Sequence, residues 1–359
     1  MTGGPVLLVH EFPGAFGGAE RYLEILGSGL VAAGVPTAAV VFVADADAAA
    51  RLAPRLGAIA PDTRVIAGRA RPGPIRAAVR EHDPVVVHWN FVDPFAFRGA
   101  SFLLLPWGRP SVITDHLPQL RHAGPHWETT RRLANRRIAT MIVVGDAAAR
   151  EAEARWRRPP PIAVIPNGVP VGAAPRRPSG PPRRPRLLFV GRLTEQKGVS
   201  HLVPVLAAVR ARGIDAELRV VGDGPRAGDI AAAAEANDLG GQVELVGFAP
   251  SPAEEMAAAD VLVAPSAYEG LPFTPLEALA VGLPLVLSDI APHRELVTAT
   301  DPLGVQVVAP GDERGWAEAV ERALAAPAEA SGAAHRIARG HRAEAMVEAT
   351  RAVYRAATA

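Results

Sequence analysis

The feature that most narrows the fold is a rhythm that runs twice. Short apolar stretches, Val6 to Val9, Ala38 to Val43, Val85 to Val87 and Ser111 to Ile113, alternate with Ala-rich helical patterns near Ala19 to Ala33 and Ala46 to Leu56. Runs such as Val85-Val86-Val87 carry no polar face, as expected of strands covered on both sides, so the alternation reads as a parallel sheet wrapped by helices. Residues 172–185, GAAPRRPSGPPRRP, have no periodic apolar residue and break the rhythm. It then restarts, with strands at Leu187 to Val190, Leu218 to Val221, Val243 to Val246, Val261 to Ala264 and Leu285 to Leu287. Helical patterns near Val199 to Ala211, Arg226 to Asn237, Ala253 to Ala258 and Pro275 to Val281 separate them, and a helical stretch from about Ala333 to Ala357 closes the chain.

A chain of 359 residues exceeds what one core supports, so the two rhythms predict two doubly wound α/β domains. The expected division is 1–171, a linker at 172–185, a second domain at 186–332, and a C-terminal helix at 333–359 that packs back on the first domain. Open α/β sheets bind ligands at the carboxyl ends of their strands, so a ligand is expected in a crevice between the domains. The chain carries 38 Lys+Arg against 37 Asp+Glu, which gives no chain-wide field for nucleic acid. Cysteine is absent, which removes disulfides, thiolate metal sites and thiol nucleophiles. The start MTGGPVLLVHEF shows no basic leader, and no apolar stretch is long enough to span a bilayer, so a cytoplasmic location is expected.

Two segments carry the chemistry. In VGRLTEQKGVS, Val190 to Ser200, a strand ends, Gly191 turns, and Arg192 and Lys197 precede a helix expected to begin near Val199. Unpaired N–H groups at a helix start beside two cations form a receptor for a phosphate or diphosphate. Lys197 is the only lysine in the chain. In APSAYEGLPFTPLEALAVGLPLVLSD, Ala264 to Asp289, Glu269 lies in a loop and Glu277 in a helix expected to start at Thr274 and Pro275 and to end at Gly282. Carboxylates so placed accept hydrogen bonds from sugar hydroxyls.

Together these segments resemble the family 4 glycosyltransferases, which have the GT-B fold and retain anomeric configuration. GRLTEQKG is similar to that family's diphosphate loop, and Glu269 and Glu277, within PSAYEGLP and LEALAVGLP, to its paired glutamates. GGAER at Gly17 to Arg21, VIPNGV at Val164 to Val169 and VGDGP at Val221 to Pro225 extend the resemblance over residues 5 to 300. It implies two Rossmann-like domains facing across a cleft, the first binding acceptor and the second a nucleoside diphosphate sugar, with UDP favoured over GDP and no permanently bound cofactor. Arg192 and Lys197 would then hold the diphosphate, Glu277 the ribose and Glu269 the transferred sugar, with Gly191, Gly270 and Leu271 around the donor. Gly17 and Gly18 would bring backbone N–H groups to the donor phosphate or acceptor. His116, in ITDHLP, would touch the donor sugar. The mechanism implied is a metal-independent front-face displacement in which the departing diphosphate takes the acceptor proton. A binding protein or partner subunit of the same fold, without turnover, is the alternative.

Other signals are weaker. Phe12, Phe16, Trp89, Asn90, Asp93, His126 and Trp127 fall near the ends of first-domain strands and are candidates for the acceptor pocket, whether that acceptor is a small molecule, a glycan or a lipid, in natural-product or cell-surface glycan synthesis. Arg131, Arg132, Arg136 and Arg137 read as one face of a helix with Ala134, Ile138 and Met141 on the other, which serves either solvation or a peripheral membrane contact. Asp45-Ala46-Asp47 matches a metal and nucleotide-sugar signature of another fold but reads better as a helix N-cap. Gly222, Gly224 and Ala227 fit a dinucleotide pattern, against which the mid-chain position argues. A monomer or homodimer is expected.

Overall fold

The computed structural model describes residues 4–11, 17–91, 107–117, 133–155, 159–173, 184–249, 252–297 and 300–359. The chain divides into two compact units, Met1–Gly168 with Ala343–Ala359, and Val169–Arg342.

The first unit holds seven parallel strands, β1 (Val6–Glu11), β2 (Thr37–Val43), β3 (Asp62–Ala67), β4 (Val86–Phe91), β5 (Ser111–Asp115), β6 (Ile138–Val143) and β7 (Ile162–Val164), in the order β3-β2-β1-β4-β5-β6-β7. Its crossovers include α1 (Gly18–Ala32), α2 (Ala46–Leu56), α3 (Pro72–His82) and α4 (Asp146–Arg155). The strand order reverses between β1 and β4, where Val9 lies beside Trp89 and His10 beside Asn90. Asp45 caps α2, its carboxylate accepting the Ala48 N–H at 2.8 Å, which explains the acidic pair without a metal.

The second unit holds β8 (Arg186–Val190), β9 (Glu217–Val221), β10 (Val243–Gly247), β11 (Val261–Ala264), β12 (Leu285–Ser288) and β13 (Val305–Val308) in the order β10-β9-β8-β11-β12-β13, again parallel. Helices α5 (Leu202–Ala211), α6 (Ala227–Ala236), α7 (Ala253–Ala258), α8 (Phe273–Ala280), α9 (Ala291–Arg294), α10 (Glu313–Ala325) and α11 (Pro327–Ala338) complete it. One core joins Leu187, Phe189, Leu206, Val220, Val263 and Trp316. The reversal of strand order falls between β8 and β11.

Several local expectations shift. The strand expected at Val85 to Val87 continues through His88, Trp89 and Asn90, because each of these polar side chains finds a buried partner. Ile138 and Met141, expected on a basic helix, are buried in β6, and Arg136 and Arg137 are exposed in the turn before it. The β-branched run Ile138 to Val144 suits a covered strand better than a helix face. Arg131 and Arg132 lie outside the described residues, as does most of the 172–185 segment. The terminal stretch expected as one helix is two: α11 stops at Ala338, a turn follows at Gly340, and α12 (Ala343–Thr358) belongs to the first unit.

The inner stripe of α12, Met346, Val347, Thr350 and Tyr354, explains that placement. Tyr354 hydroxyl bonds His88 Nδ1 at 2.5 Å, His88 Nε2 bonds Thr114 Oγ1 at 2.7 Å, and Thr114 bonds the Tyr22 hydroxyl at 3.2 Å. Thr350, between these side chains on the same stripe, donates its hydroxyl to Met346 O at 2.9 Å. Burial pushes His88 down to about 3, so the ring is neutral and spends one nitrogen as donor and the other as acceptor. No helix among the described residues is long and apolar enough to cross a membrane.

Candidate functional site

Both switch points carry polar side chains, and they are built differently. In the second unit the segment after β8 is clamped from two sides. Gly191 N–H donates to Val221 O and Leu193 N–H to Asp223 O, each at 2.9 Å. The approach is close enough that a Cβ on Gly222, at φ +137°, would stand 1.9 Å from Gly191 O. Gly222 and Gly224 of the dinucleotide-like pattern therefore serve as a bed for the Gly191 to Leu193 backbone. On the other side Gly198, at φ +63°, has room for no Cβ against Pro265 O, and Ala267 N–H donates to Gln196 O at 2.8 Å. The helix expected near Val199 is preceded by two 3₁₀ turns, Glu195–Lys197 and Val199–His201, and α5 starts only at Leu202. Lys197 thus stands on a turn held between β9 and the loop after β11.

That turn brings two predicted residues together. Lys197 Nζ lies 2.5 Å from Glu269 Oε1, with side chains 18% and 7% exposed. One ammonium proton serves the pair, and the other two donors of Lys197 and the second oxygen of Glu269 have no further partner among the described residues. Arg192 is exposed and leans on Gln196 Oε1 at 3.3 Å, and Gln196 donates to Tyr268 O at 3.2 Å. Gly270 and Leu271 are buried in the loop before α8, which is capped by Pro272 and begins at Phe273 rather than at Thr274. Glu277 is half-buried on α8.

His293, which no motif singled out, supports this loop from beneath. Its Nδ1 bonds Ser288 O at 2.8 Å, and Ser288 Oγ donates to Ser266 O. Burial holds the ring below its ordinary value, while Ser288 and the Glu269 carboxylate oppose that shift. His293 Nε2 and Thr194 Oγ1 are buried polar atoms without a hydrogen-bond partner among the described residues. The only sequence signal for His293 was its position just beyond a strand end.

In the first unit the site is assembled from single residues on four elements. His10, at the end of β1, places Nδ1 2.5 Å from Asn90 O and Nε2 2.8 Å from Glu20 Oε1. Glu20 Oε2 accepts the Gly17 N–H at 2.8 Å. Burial works against the Glu20 charge, but the hydrogen bond and charge of His10, with the backbone N–H groups of Glu20 and Gly17, hold its carboxyl below the ordinary value. Gly17 N–H is therefore already committed, whereas Gly18 N–H, at the first position of α1, has no partner among the described residues. Asn90 and Trp89, expected near an acceptor, lie fully buried. Trp89 donates to Ser111 Oγ at 3.1 Å and packs against Trp107. His116 retains 8% exposure, sits edge-on to Tyr22, and is pushed down to about 3 by burial and by the charge of His10. Phe12, Phe16, Asp93, His126 and Trp127 lie outside the described residues.

Comparison with known proteins bears on this arrangement. The family model described as Glycosyltransferase Family 4 matches residues 16–172, and that described as Glycosyl transferases group 1 matches residues 184–326. The chain is 30% identical over 146 residues to the alpha-D-kanosaminyltransferase of Streptomyces kanamyceticus, covering 40% of this chain and 37% of that protein. It is 34% identical over 174 residues to a glycogen synthase of Mycobacterium tuberculosis, covering 47% and 41%. The matched region thus spans less than half the length of these curated relatives. Among solved structures, Anabaena Alr3699/HepE in complex with UDP and glucose superposes with a TM-score of 0.77 at 20% identity, covering 96% of this chain and 98% of that one. Sucrose-phosphate synthase from Thermosynechococcus elongatus gives 0.74 at 20%, covering 98% of each. The two family models fall in chain order on the two sheets of a GT-B fold, and the chain belongs to the family 4 glycosyltransferases.

Proposed function

We propose that the protein transfers a hexose-like unit from a nucleoside diphosphate sugar to an acceptor hydroxyl with retention of anomeric configuration. The observation that carries the reading is the clamped turn that presents Lys197, paired with Glu269, at the β8/β11 switch point. Lys197 and Arg192 hold the diphosphate, the second Glu269 oxygen takes a hydroxyl of the transferred sugar, and Glu277 takes the ribose hydroxyls. His116 and the Gly18 N–H are the first unit's contacts to donor. Asn90 and Trp89 are removed from direct acceptor contact by their burial.

In the reaction the bond from C1 to the diphosphate oxygen breaks, the acceptor oxygen bonds C1 on the same face, and its proton passes to the departing diphosphate. Arg192 and Lys197 meet the charge that grows on the leaving group, which is where preorganised donors lower a barrier most. The neighbour solved with UDP and glucose supports a UDP-sugar or related nucleotide-sugar donor.

The test is incubation with UDP-, GDP-, ADP- and dTDP-sugars, first by thermal shift and then by nucleoside diphosphate release. Slow hydrolysis of one donor to a sugar that NMR shows with the donor's own anomeric configuration is expected. Release of the inverted sugar would refute retention. Binding without any release, across acceptors of each class, would leave the non-catalytic binding protein as the better reading.

A further inference from the structure

The hydrogen bonds around Asn90 determine which nitrogen of His116 carries the proton. Asn90 Nδ2 lies 2.9 Å from Ala19 O, a carbonyl that only accepts, so the amide nitrogen must face it. Asn90 Oδ1 then faces His116 Nε2 at 2.6 Å. An amide oxygen also only accepts, so His116 Nε2 must bear hydrogen. His10 ties Asn90 down from the other side: its Nδ1 lies 2.5 Å from Asn90 O and 3.3 Å from Asn90 Nδ2, and its Nε2 2.8 Å from Glu20 Oε1. Among the described residues, the titratable groups around the His116 ring are Tyr22 and Glu20 on α1, His10 on β1, His88 on β4 and its own neighbour Asp115. His116 Nδ1 has no hydrogen-bond partner among the described residues.

We infer that Asn90 is a positioning residue that holds His116 as the neutral Nε2–H tautomer, so that Nδ1 meets the ligand as a hydrogen-bond acceptor for a sugar hydroxyl. The inference deepens the proposed glycosyl-transfer reading and rests on it for the identity of the ligand. His116 on this account does not donate a proton and adds no positive charge to the site. Its low titration, at about 3, agrees with that role.

The experiment uses the full chain labelled with ¹⁵N-histidine, with His116 resonances assigned by their loss in His116→Gln. Two-bond ¹H–¹⁵N spectra of the wild type are expected to show a neutral ring protonated on Nε2 from about pH 5.5 to 8.5. In Asn90→Asp the carboxylate still accepts from Nε2 but stabilises the imidazolium, which brings the His116 titration into that range. With UDP-glucose as probe, the kcat/KM deficit of Asn90→Asp relative to wild type should then grow at least about tenfold between pH 8.5 and 6, as Nδ1 turns from acceptor to donor. A wild-type ring protonated on Nδ1, or doubly protonated, overturns the inference whether or not any variant folds. A His116 that titrates in Asn90→Asp while the deficit stays constant with pH upholds the tautomer and overturns the ligand contact. Absence of UDP-glucose turnover in the wild type counts against this donor alone, and the wild-type spectra still decide the tautomer.

Discussion

Two carboxylates in this chain are each paired with a base at a switch point, and their surroundings divide them. Glu20 meets His10 with side chains 2% and 0% exposed, while Glu269 meets Lys197 at 7% and 18%. The first pair spends its atoms on protein: His10 also bonds Asn90 O and Glu20 also takes Gly17 N–H. Among the described residues the second keeps two ammonium donors and one carboxylate oxygen uncommitted. An enclosed pair with every site filled sets the position of its neighbours, whereas a partly open one with spare sites suits the ligand contact proposed above.

The contrast is easiest to break through stability. Glu20→Ala leaves buried His10 Nε2 and the Gly17 N–H without their partner, and about 1–3 kcal/mol of unfolding free energy should be lost, read from urea midpoints. Glu269→Ala leaves its partner nearer water and should cost distinctly less on the same measurement. If the two losses match, enclosure does not separate the pairs. On activity the ranking inverts. Lys197→Ala, and likewise Arg192→Ala, should raise the barrier by about 2.7–4 kcal/mol, a fall of roughly 10²–10³ in kcat for the active donor, with the fold retained. Turnover near that of the wild type in both would remove the leaving-group assignment.

Smaller effects sharpen the view of the first unit. Tyr354→Phe leaves His88 Nδ1 buried without its partner and should cost about 1–3 kcal/mol, measured by denaturant unfolding against His88→Ala/Tyr354→Phe in a double-mutant cycle. Acid should also weaken the fold. His88 and His116 protonate only near 3 when folded but near 6.5 when unfolded, so the unfolded chain binds more protons between those values. Their contribution is therefore complete above about pH 6.5 and declines as pH falls, by up to about 1.4 kcal/mol per pH unit for each ring. Glu20, held below its ordinary value, adds a loss of the same sign at lower pH. Unfolding free energies measured from pH 7 to 4 check this, and His116→Gln should remove one proton's worth of slope.

The two switch points were unequally legible in the sequence. Arg192, Lys197 and Glu269 belong to short contiguous runs, because each sits on a tight turn or loop just past a strand, built from consecutive residues with glycines where the backbones meet. His10, Glu20, Asn90 and His116 come from β1, α1, β4 and the end of β5, so only the sheet register brings them together. Asn90 read as an acceptor-pocket candidate because a buried amide and an exposed one look alike in sequence. Strand β3 escaped notice because it lies at the sheet edge, where Asp62 and Arg64 interrupt the apolar pattern. The break near Gly340 was hidden by Ala-rich flanks that favour helix on both sides.

The hydrogen-bond chain from α12 through His88 to Tyr22 implies an order of events on the ribosome. The first sheet precedes the second unit in the chain, yet the hydroxyl that satisfies His88 follows that unit. Until then the nascent first unit carries an uncovered apolar stripe and an unanswered imidazole, a state in which chaperone capture competes with collapse. Translation of the whole second unit thus separates the early sheet from the helix that finishes it.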